Sequence, residues 1–288
     1  MGYRRHKFLD LDSTNYYHCI TRCVRRSYLC GIDPATEKDY NYRKLIIKSL
    51  IKLLTSAFSI EICSYAVMCN HIHLVLYVNK SQAESLGKEE VLRRWSLVYP
   101  NSASDIQTAI SNNENNVNIQ IENCRNKLFN ISFFMEKLCV TLARQFNKED
   151  NCKGRFWEGR FQSIPIFDLQ SLINTMTYVD LNPIRAKMVS YPEEHESCSI
   201  NDRFIKVKNQ IKCTTRKINN VTEELLSSFI QEESLFKFGN FEINNEIADF
   251  SLYDYFKSID FYAQAVNSKN IGLNKNLNYL NIFERLLI

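Results

Sequence analysis

Two histidines one residue apart, His71 and His73, lie in the strand-like run YAVMCNHIHLVLYV at residues 65–78. Alternate side chains of a strand point to the same face, so this face is expected to carry Tyr65 and Val67 as well, while the opposite face is almost wholly apolar. Two imidazoles on an anchored strand have a fixed spacing that suits a shared metal ion. Two polar residues on the solvated face of a sheet would give the same pattern, and the run alone leaves both interpretations open.

A helix that begins after Asp168, a suitable N-cap, supplies polar side chains at a second spacing. Its apolar stripe is formed by Leu169, Leu172, Ile173, Met176 and Val179. Asn174, Tyr178 and Asn182 are four residues apart and therefore line another face of the helix. A tyrosine and an amide one turn apart could both face the histidine strand. Tyrosine is also common at a helix border, and Asn-Pro is a usual helix end, so neither residue is decisive by itself.

Strand and helix patterns alternate along the chain and would position these residues. The run YYHCITRCV at residues 16–24 predicts a strand, and residues 37–58 predict a helix. The run NISFFMEKLCVTLARQFN at residues 130–147 predicts an amphipathic helix, and CKGRFWEGRFQSIPI at residues 152–166 predicts a turn followed by a short strand. This alternation indicates an α/β protein.

Two parts of the chain fall outside this alternation. Residues 79–130 are mostly polar and predict a partly helical insertion, and no chemical motif appears beyond about residue 196. We therefore expect one domain over residues 1–195, interrupted by the insertion, and a C-terminal extension of unknown role over residues 196–288.

Bulk properties exclude some classes of protein. The N-terminus lacks the apolar stretch of a signal peptide, and no run of about 18 apolar residues predicts a membrane span. A cytoplasmic protein is therefore expected. The ten cysteines form no Cys-x-x-Cys pair, so reduced thiols are expected, with a zinc site built from Cys19, Cys23 and Cys30 as the alternative.

Charge is distributed unevenly along the chain. Residues 1–190 carry 25 basic and 18 acidic side chains, a net charge of +7, whereas residues 191–288 carry 11 basic and 14 acidic side chains, a net charge of −3. A basic first part is typical of a protein that meets a polyanion. A merely solvated basic surface would have the same composition.

Taken together, these segments resemble a known family. His71-Ile72-His73 resembles the His-hydrophobe-His motif of the HUH single-strand nucleases, and TYVDLNPIRAKMV at residues 177–189 resembles the tyrosine segment of the IS200-like single-tyrosine transposases. More narrowly, YYHCITRCV, GRFWEGRFQSI and YVDLNPIRAKMVSYP resemble the REP-associated tyrosine transposases. The segments occur in the family's order and cover most of residues 14–192. The insertion departs from the compact family core, and YPEEHESCSIND departs from its usual serine-rich segment.

The resemblance implies a fold, a reaction and a partner. It implies a ferredoxin-like antiparallel sheet with flanking helices and with the histidine motif on a central strand. His71, His73 and Asn182 would hold one Mg²⁺ or Mn²⁺ ion, and Tyr178 would attack a phosphate to give a 5′-phosphotyrosine. The partner would be single-stranded DNA next to a hairpin. A monomer is expected, as in the REP-associated branch, with a dimer as the alternative.

Further residues are assigned supporting roles. His18, on the neighbouring strand, either supports the site or is an ordinary strand residue, and Asn174 is a second supporting candidate. Phe156 and Trp157 either stack on bases or belong to the core. Contacts with the DNA backbone are expected from eight basic residues: Arg22, Arg25, Arg26, Lys153, Arg155, Arg160, Arg185 and Lys187.

Three other functions remain as alternatives. A non-catalytic protein that binds hairpin nucleic acid could retain the fold, but it would be expected to have lost a ligand or the tyrosine. A two-histidine phosphodiesterase would carry two His-x-Ser/Thr motifs, and neither His71 nor His73 begins one. Nothing specific supports a pure scaffold. The sequence therefore favours a metal-dependent tyrosine transposase.

Overall fold

A four-stranded antiparallel sheet forms the centre of the molecule. The computed structural model describes residues 13–24, 29–33, 36–112, 116–215, 239–243, 246–270 and 280–287. The strands of the sheet are β1 (Tyr16–Arg22), β2 (Ile60–Val67), β3 (His71–Val78) and β4 (Gln162–Ile166). Their order is β2-β3-β1-β4, so β3 and β1 are the inner strands. The predicted position of the histidine motif on a central strand is confirmed.

Helices connect and cover these strands. In chain order they are α1 (Tyr42–Ala57), α2 (Lys80–Ser85), α3 (Lys88–Val98), α4 (Pro100–Ser111), α5 (Val117–Leu128), α6 (Ile131–Glu149), α7 (Leu169–Asp180), α8 (Asn182–Arg185), α9 (Ser199–Thr215), α10 (Leu252–Asn270) and α11 (Ile282–Leu287). The succession β1-α1-β2-β3-α6-β4, with this strand order, is the ferredoxin-like connectivity. The predicted fold is therefore confirmed.

β2 and β3 form a hairpin. The chain turns between them, and the amide N of Met68 donates to the carbonyl O of His71 at 2.9 Å. Across the hairpin Val67 pairs with Ile72, not with a histidine. Directly paired residues share a face of the sheet, so Val67 and Tyr65 point away from the histidines. The prediction that these two residues share the histidine face was wrong, because the turn reverses the alternation.

One face of the sheet packs against α1 and α6. The buried cluster there combines Ile72, Leu74 and Leu76 of β3 with Ile47, Ile51 and Leu54 of α1 and Phe134, Leu138 and Leu142 of α6. These side chains are apolar and their helices are amphipathic, so burial against the sheet is the main force that holds both helices in place. The predicted apolar back of the histidine strand is confirmed.

The opposite face, which carries the histidines, packs against α7 and the C-terminal segments. Met176 and Val179 of α7 share a buried cluster with Val75 of β3 and with Tyr255 and Phe256 of α10. Residues beyond 195 therefore help to form the core beneath the tyrosine helix.

The insertion between β3 and α6 is helical, as predicted. Its helices α3, α4 and α5 enclose a small core of their own, formed by Val91, Trp95, Ala103, Ile106, Ile121, Cys124 and Leu128. The polar run SNNENNVN at residues 111–118, which joins α4 to α5, lies partly outside the described residues.

The C-terminal region adds a short 3₁₀ turn, Pro192–Glu194, and a two-stranded hairpin, β5 (Gly239–Ile243) and β6 (Glu246–Phe250). Before α9 begins, the chain runs along the outer edge of β2. There the amide N of Val67 donates to the carbonyl O of Ser197 at 2.9 Å, and Ala66 forms an isolated β-bridge with Cys198. Of the helices described, none combines the length and apolar character that a membrane crossing requires.

Candidate active site

The candidate site lies where the two inner strands meet α7. His71 on β3 pairs with Arg22 on β1, and His18 on β1 pairs with Val75 on β3. Residues that pair directly share a face, and residues two apart on one strand do so as well. His18, His71 and His73 therefore point to the same side of the sheet, which is the side that α7 covers.

The three imidazoles and Tyr178 are neighbours. The ring centroids of His71 and His73 are 4.7 Å apart, and the Tyr178 ring lies 5.9 Å from His73 and 6.3 Å from His18. His73 is 4% exposed and His18 is 6% exposed, whereas Tyr178 is 40% exposed. Buried imidazoles thus lie beside a tyrosine that a ligand in solution can reach.

Polar contacts hold the imidazole rings in place. The Nδ1 atom of His71 forms a hydrogen bond with the side-chain oxygen of Asn70, and the Nδ1 atom of His73 lies 3.0 Å from Nε2 of His18. Both contacts use the Nδ1 atoms of the predicted ligands. The Nε2 atoms are the ones left to bind a ligand.

Burial controls the charge of these rings. It lowers the pKa of His18 to about 4. Burial also lowers the pKa of His73 to about 3, helped by the charges of His71, His18 and Arg22. The pKa of His71 is lowered to about 4 by burial and then by the charge of Arg22. All three rings are neutral at pH 7, and neutral imidazole is the form that binds metal ions.

The helix α7 presents Tyr178 because its other side is buried. Asp168 caps the helix by accepting a hydrogen bond from the amide N of Ser171 at 2.7 Å, which confirms the predicted start. Leu172, Met176 and Val179 are buried on the apolar side. Asn174 lies on the exposed side with Tyr178, and its oxygen accepts a hydrogen bond from the Gln170 amide at 3.0 Å.

Asn182 begins the short helix α8, next to the buried Pro183. Its amide nitrogen donates to the carbonyl O of Tyr178 at 3.1 Å. This hydrogen bond holds the Asn182 side chain against the backbone of Tyr178. It uses the amide nitrogen, so it leaves the amide oxygen of Asn182 available to a ligand. The metal-ligand role of Asn182 stays a prediction.

Arg185 and Lys187 follow Asn182 in the chain, and both side chains are exposed. The guanidinium carbon of Arg185 lies 5.1 Å from the centroid of the Tyr178 ring, which is a cation–π contact. A positive charge therefore stands directly at the tyrosine.

A basic loop lies at the other end of the site. The amide N of Glu158 donates to the carbonyl O of Arg22 at 2.9 Å, which holds the loop after α6 against the end of β1 where His71 also lies. The exposed basic side chains at this end are Arg22, Lys153, Arg155 and Arg160. Arg25 and Arg26, which were predicted to join them, lie outside the described residues.

Phe156 and Trp157 belong to the core and do not form a base-stacking surface. They are 2% and 8% exposed, and the indole N–H of Trp157 donates to the carbonyl O of Cys139 at 2.8 Å. Trp157 forms a β-bridge with Cys23, which draws the pair under the sheet. Of the two interpretations of these aromatics, the structural one is correct.

The chemistry of the predicted ligands is that of a site for a weakly held divalent cation. Two neutral imidazoles with an amide oxygen form an open set that keeps positions for water and phosphate. Within the described ranges, no group of three or more His, Cys, Asp or Glu side chains is placed to hold a metal ion. The alternative zinc site at Cys19, Cys23 and Cys30 is therefore not found among the described residues.

Asp180 is a buried residue of the site region that the sequence did not single out. Its carboxylate accepts hydrogen bonds from the hydroxyl of Ser199, from the amide N of Ile200 at 3.2 Å and from the hydroxyl of Tyr255 at 2.5 Å. Arg203 lies 4.0 Å away. These contacts join the end of the tyrosine helix to α9 and α10.

Comparison with known proteins adds one structural likeness. No protein-family model and no curated protein sequence matches the chain. Among solved structures, a REP-associated tyrosine transposase bound to a REP hairpin is similar, at 12% identity, with 82% of this chain and 98% of that chain covered and a TM-score of 0.41. A likeness of this size establishes neither family nor activity, so the function is inferred from the residues of the site.

Proposed function

We propose that the protein is a metal-dependent tyrosine transposase that cuts and rejoins single-stranded DNA next to a hairpin. The strongest support is the position of Tyr178 beside the histidine pair. The centroid of its ring lies 5.9 Å from that of His73. A structural tyrosine at a helix border would not need three neutral imidazoles beside it. The motif resemblance of both segments points to the same reaction.

The nucleophile is Tyr178. Its phenolic oxygen forms a bond to the phosphorus while the bond from phosphorus to the 3′-oxygen of the preceding nucleotide breaks. The phenolic proton is released, and the departing oxygen becomes a free 3′-hydroxyl. The strand that follows stays attached through a 5′-phosphotyrosine. Because the new bond is also a phosphodiester, another 3′-hydroxyl can reverse the step and join strands without an external energy source.

His71 and His73 would hold Mg²⁺ or Mn²⁺ through ring nitrogens, with the amide oxygen of Asn182 as a third ligand. When bound, such an ion polarises the scissile phosphate and offsets the charge that grows on its oxygens. Arg185 supplies a fixed positive charge beside Tyr178, which favours approach of the phosphate. Because the histidines are neutral at pH 7, no proton has to be displaced from their ring nitrogens before the ion binds.

The substrate class follows from charge and access. Basic side chains lie at both ends of the site, in the loop that carries Arg155 and Arg160 and beside Tyr178 at Arg185, and Lys187 is a further exposed basic residue close to Arg185 in the chain. A strand whose phosphate reaches the exposed Tyr178 beside the histidines must be unpaired at the cut. The hairpin beside it is what the family resemblance implies.

The acting form is proposed to be a monomer, because buried contacts within one chain already hold α7 in place. Free thiols are suited to the reducing cytoplasm, where we propose that the protein acts.

The test is a cleavage assay on single-stranded oligonucleotides taken from the flanks of the gene, each containing a hairpin and a single-stranded tail. Each oligonucleotide is labelled at the 5′ or the 3′ end and incubated with Mg²⁺, Mn²⁺ or EDTA. We expect a denaturant-resistant adduct on the 3′-labelled strand and a shortened 5′-labelled fragment that ends in a 3′-hydroxyl. Both products should require the metal ion.

Tyr178→Phe should abolish the adduct, and Tyr262→Phe should not. Tyr262 is a matched control because it is 44% exposed on α10 and has no place in the site. Tight hairpin binding with no adduct on any flank would refute the enzymatic proposal and would favour the alternative, a hairpin-binding protein that retains the fold.

A further inference from the structure

His18 and His73 share a hydrogen bond whose direction matters for the site. Their nitrogens are 3.0 Å apart, and both residues are buried. The ring planes are inclined by only 24°, with centroids 5.2 Å apart, so the rings meet nearly edge to edge. That arrangement places an N–H of one ring in line with the lone pair of the other.

A hydrogen bond between two neutral imidazoles can have either ring as the donor. If His18 donates, the proton of His73 must sit on Nε2, and that nitrogen has no lone pair for a cation. If His73 donates from Nδ1, its Nε2 lone pair is free. His71 faces no such choice, because its Nδ1 meets the side-chain oxygen of Asn70, which can only accept.

We propose that His18 is a positioning residue, which accepts the Nδ1–H of His73 and so leaves the Nε2 lone pair of His73 to bind the cation. With this bond direction, His71 and His73 present the same atom, each having its Nδ1–H held by a neighbour. Ligand histidines in metal sites are generally oriented in this way by a partner at the other ring nitrogen. The cation is the one in the proposed function, on which this part of the inference rests.

The test uses two substitutions of His18, one that keeps a hydrogen-bond acceptor near the position of its Nε2 atom and one that removes it. His18→Gln places an amide oxygen near the position of Nε2 and keeps an acceptor for His73. His18→Leu fills a similar volume without any acceptor. His195→Leu is the control, since His195 is also buried, at 4% exposed, but lies outside the site. Thermal unfolding of each variant verifies that it is folded.

The first readout is the tautomer of His73 in the metal-free protein, measured by two-bond ¹H–¹⁵N correlation spectra of the imidazoles. We expect Nδ1–H in the wild type and in His18→Gln, and a shift toward Nε2–H in His18→Leu. A wild-type His73 that carries its proton on Nε2 would overturn the proposal.

The second readout is the affinity for Mn²⁺, measured from the electron paramagnetic resonance signal of the free ion. His18→Leu should weaken binding by about 10–100-fold, His18→Gln should stay within a few-fold of the wild type, and His195→Leu should be unchanged. An unchanged affinity in a folded His18→Leu would refute the positioning role.

The proposed function can fail separately. If the wild type holds no Mn²⁺ that His71→Ala or His73→Ala removes, the cation site is wrong. The tautomer spectra would then still decide the direction of the bond between His18 and His73.

Discussion

Replacement of Asp180 by asparagine tests whether the tyrosine helix is held by a buried charge. Asp180 is fully buried at the end of α7, and Arg203, 2% exposed, lies 4.0 Å away on α9. Burial raises the pKa of Asp180, while the charge of Arg203 and several hydrogen bonds oppose that rise. The donors that converge on the carboxylate indicate that it is ionised in the folded protein.

The expected cost follows from the contacts. In Asp180→Asn one oxygen remains to accept from Ser199 and Ile200, whereas the new NH₂ group replaces the oxygen that accepts from Tyr255 and faces Arg203. Removing one partner of a buried ion pair costs about 3–5 kcal/mol, because the other charge is left without compensation. For a protein of this size that corresponds to a fall in Tm of about 10 °C.

The assay is urea and thermal unfolding followed by circular dichroism. Asp168→Asn is the matched control, since Asp168 caps the other end of α7 and is exposed, and asparagine caps helices about as well as aspartate. The control should unfold at nearly the same urea concentration and temperature as the wild type. If Asp180→Asn also costs less than about 1 kcal/mol, the carboxyl is protonated in the folded protein and the buried charge does not exist.

Two further predictions concern pH and backbone conformation. Burial lowers the pKa of His195 from 6.5 to about 4, so between these values the unfolded chain binds a proton that the folded protein does not. The stabilisation is complete above pH 6.5 and falls by about 3 kcal/mol as the pH drops to 4. Urea unfolding of the wild type and His195→Leu over this range should show that the free energy of unfolding falls more in the wild type. Parallel pH dependences in the two proteins would contradict this. Gly154 has a φ of +102°, and a Cβ at either Gly154 or Gly159 would meet open space. Gly154→Ala should therefore cost about 1–2 kcal/mol in urea unfolding, whereas Gly159→Ala should be neutral or slightly stabilising, and equal effects would exclude backbone strain as the cause.

Local patterns were sufficient to predict the elements that carry the chemistry. The alternation from His71 to Leu76 describes a strand with one apolar face, and the stripe of Leu172, Met176 and Val179 turns Tyr178 outward. These features depend on neighbours a few residues away, so they can be read from the chain. Their meeting in space was implied by the resemblance and not by either pattern alone.

Features that depend on distant contacts could not be predicted in this way. Leucines recur at helical spacing in α1, which would suggest a buried stripe, yet Leu45 and Leu53 are 64% and 41% exposed. The buried stripe runs through Ile47 and Ile51 instead. The role of Asp180 depends on Tyr255, far along the chain, so no local pattern marks it. Trp157 is buried beside Cys23, the residue that follows β1, and the pattern of its own loop gives no sign of this distant contact.

The edges of the sheet have a consequence for aggregation. An open strand edge is a template to which another chain can add through backbone hydrogen bonds. Here the outer edge of β2 already donates to Ser197, and the other edge strand is the short β4, in which Pro165 has no N–H to offer. Strand addition at β2 would require residues 197–199 to detach first. The segment that leads into α9 therefore protects the edge of the sheet. A protein truncated before residue 197 would expose the outer edge of β2 and would tend to aggregate by strand addition.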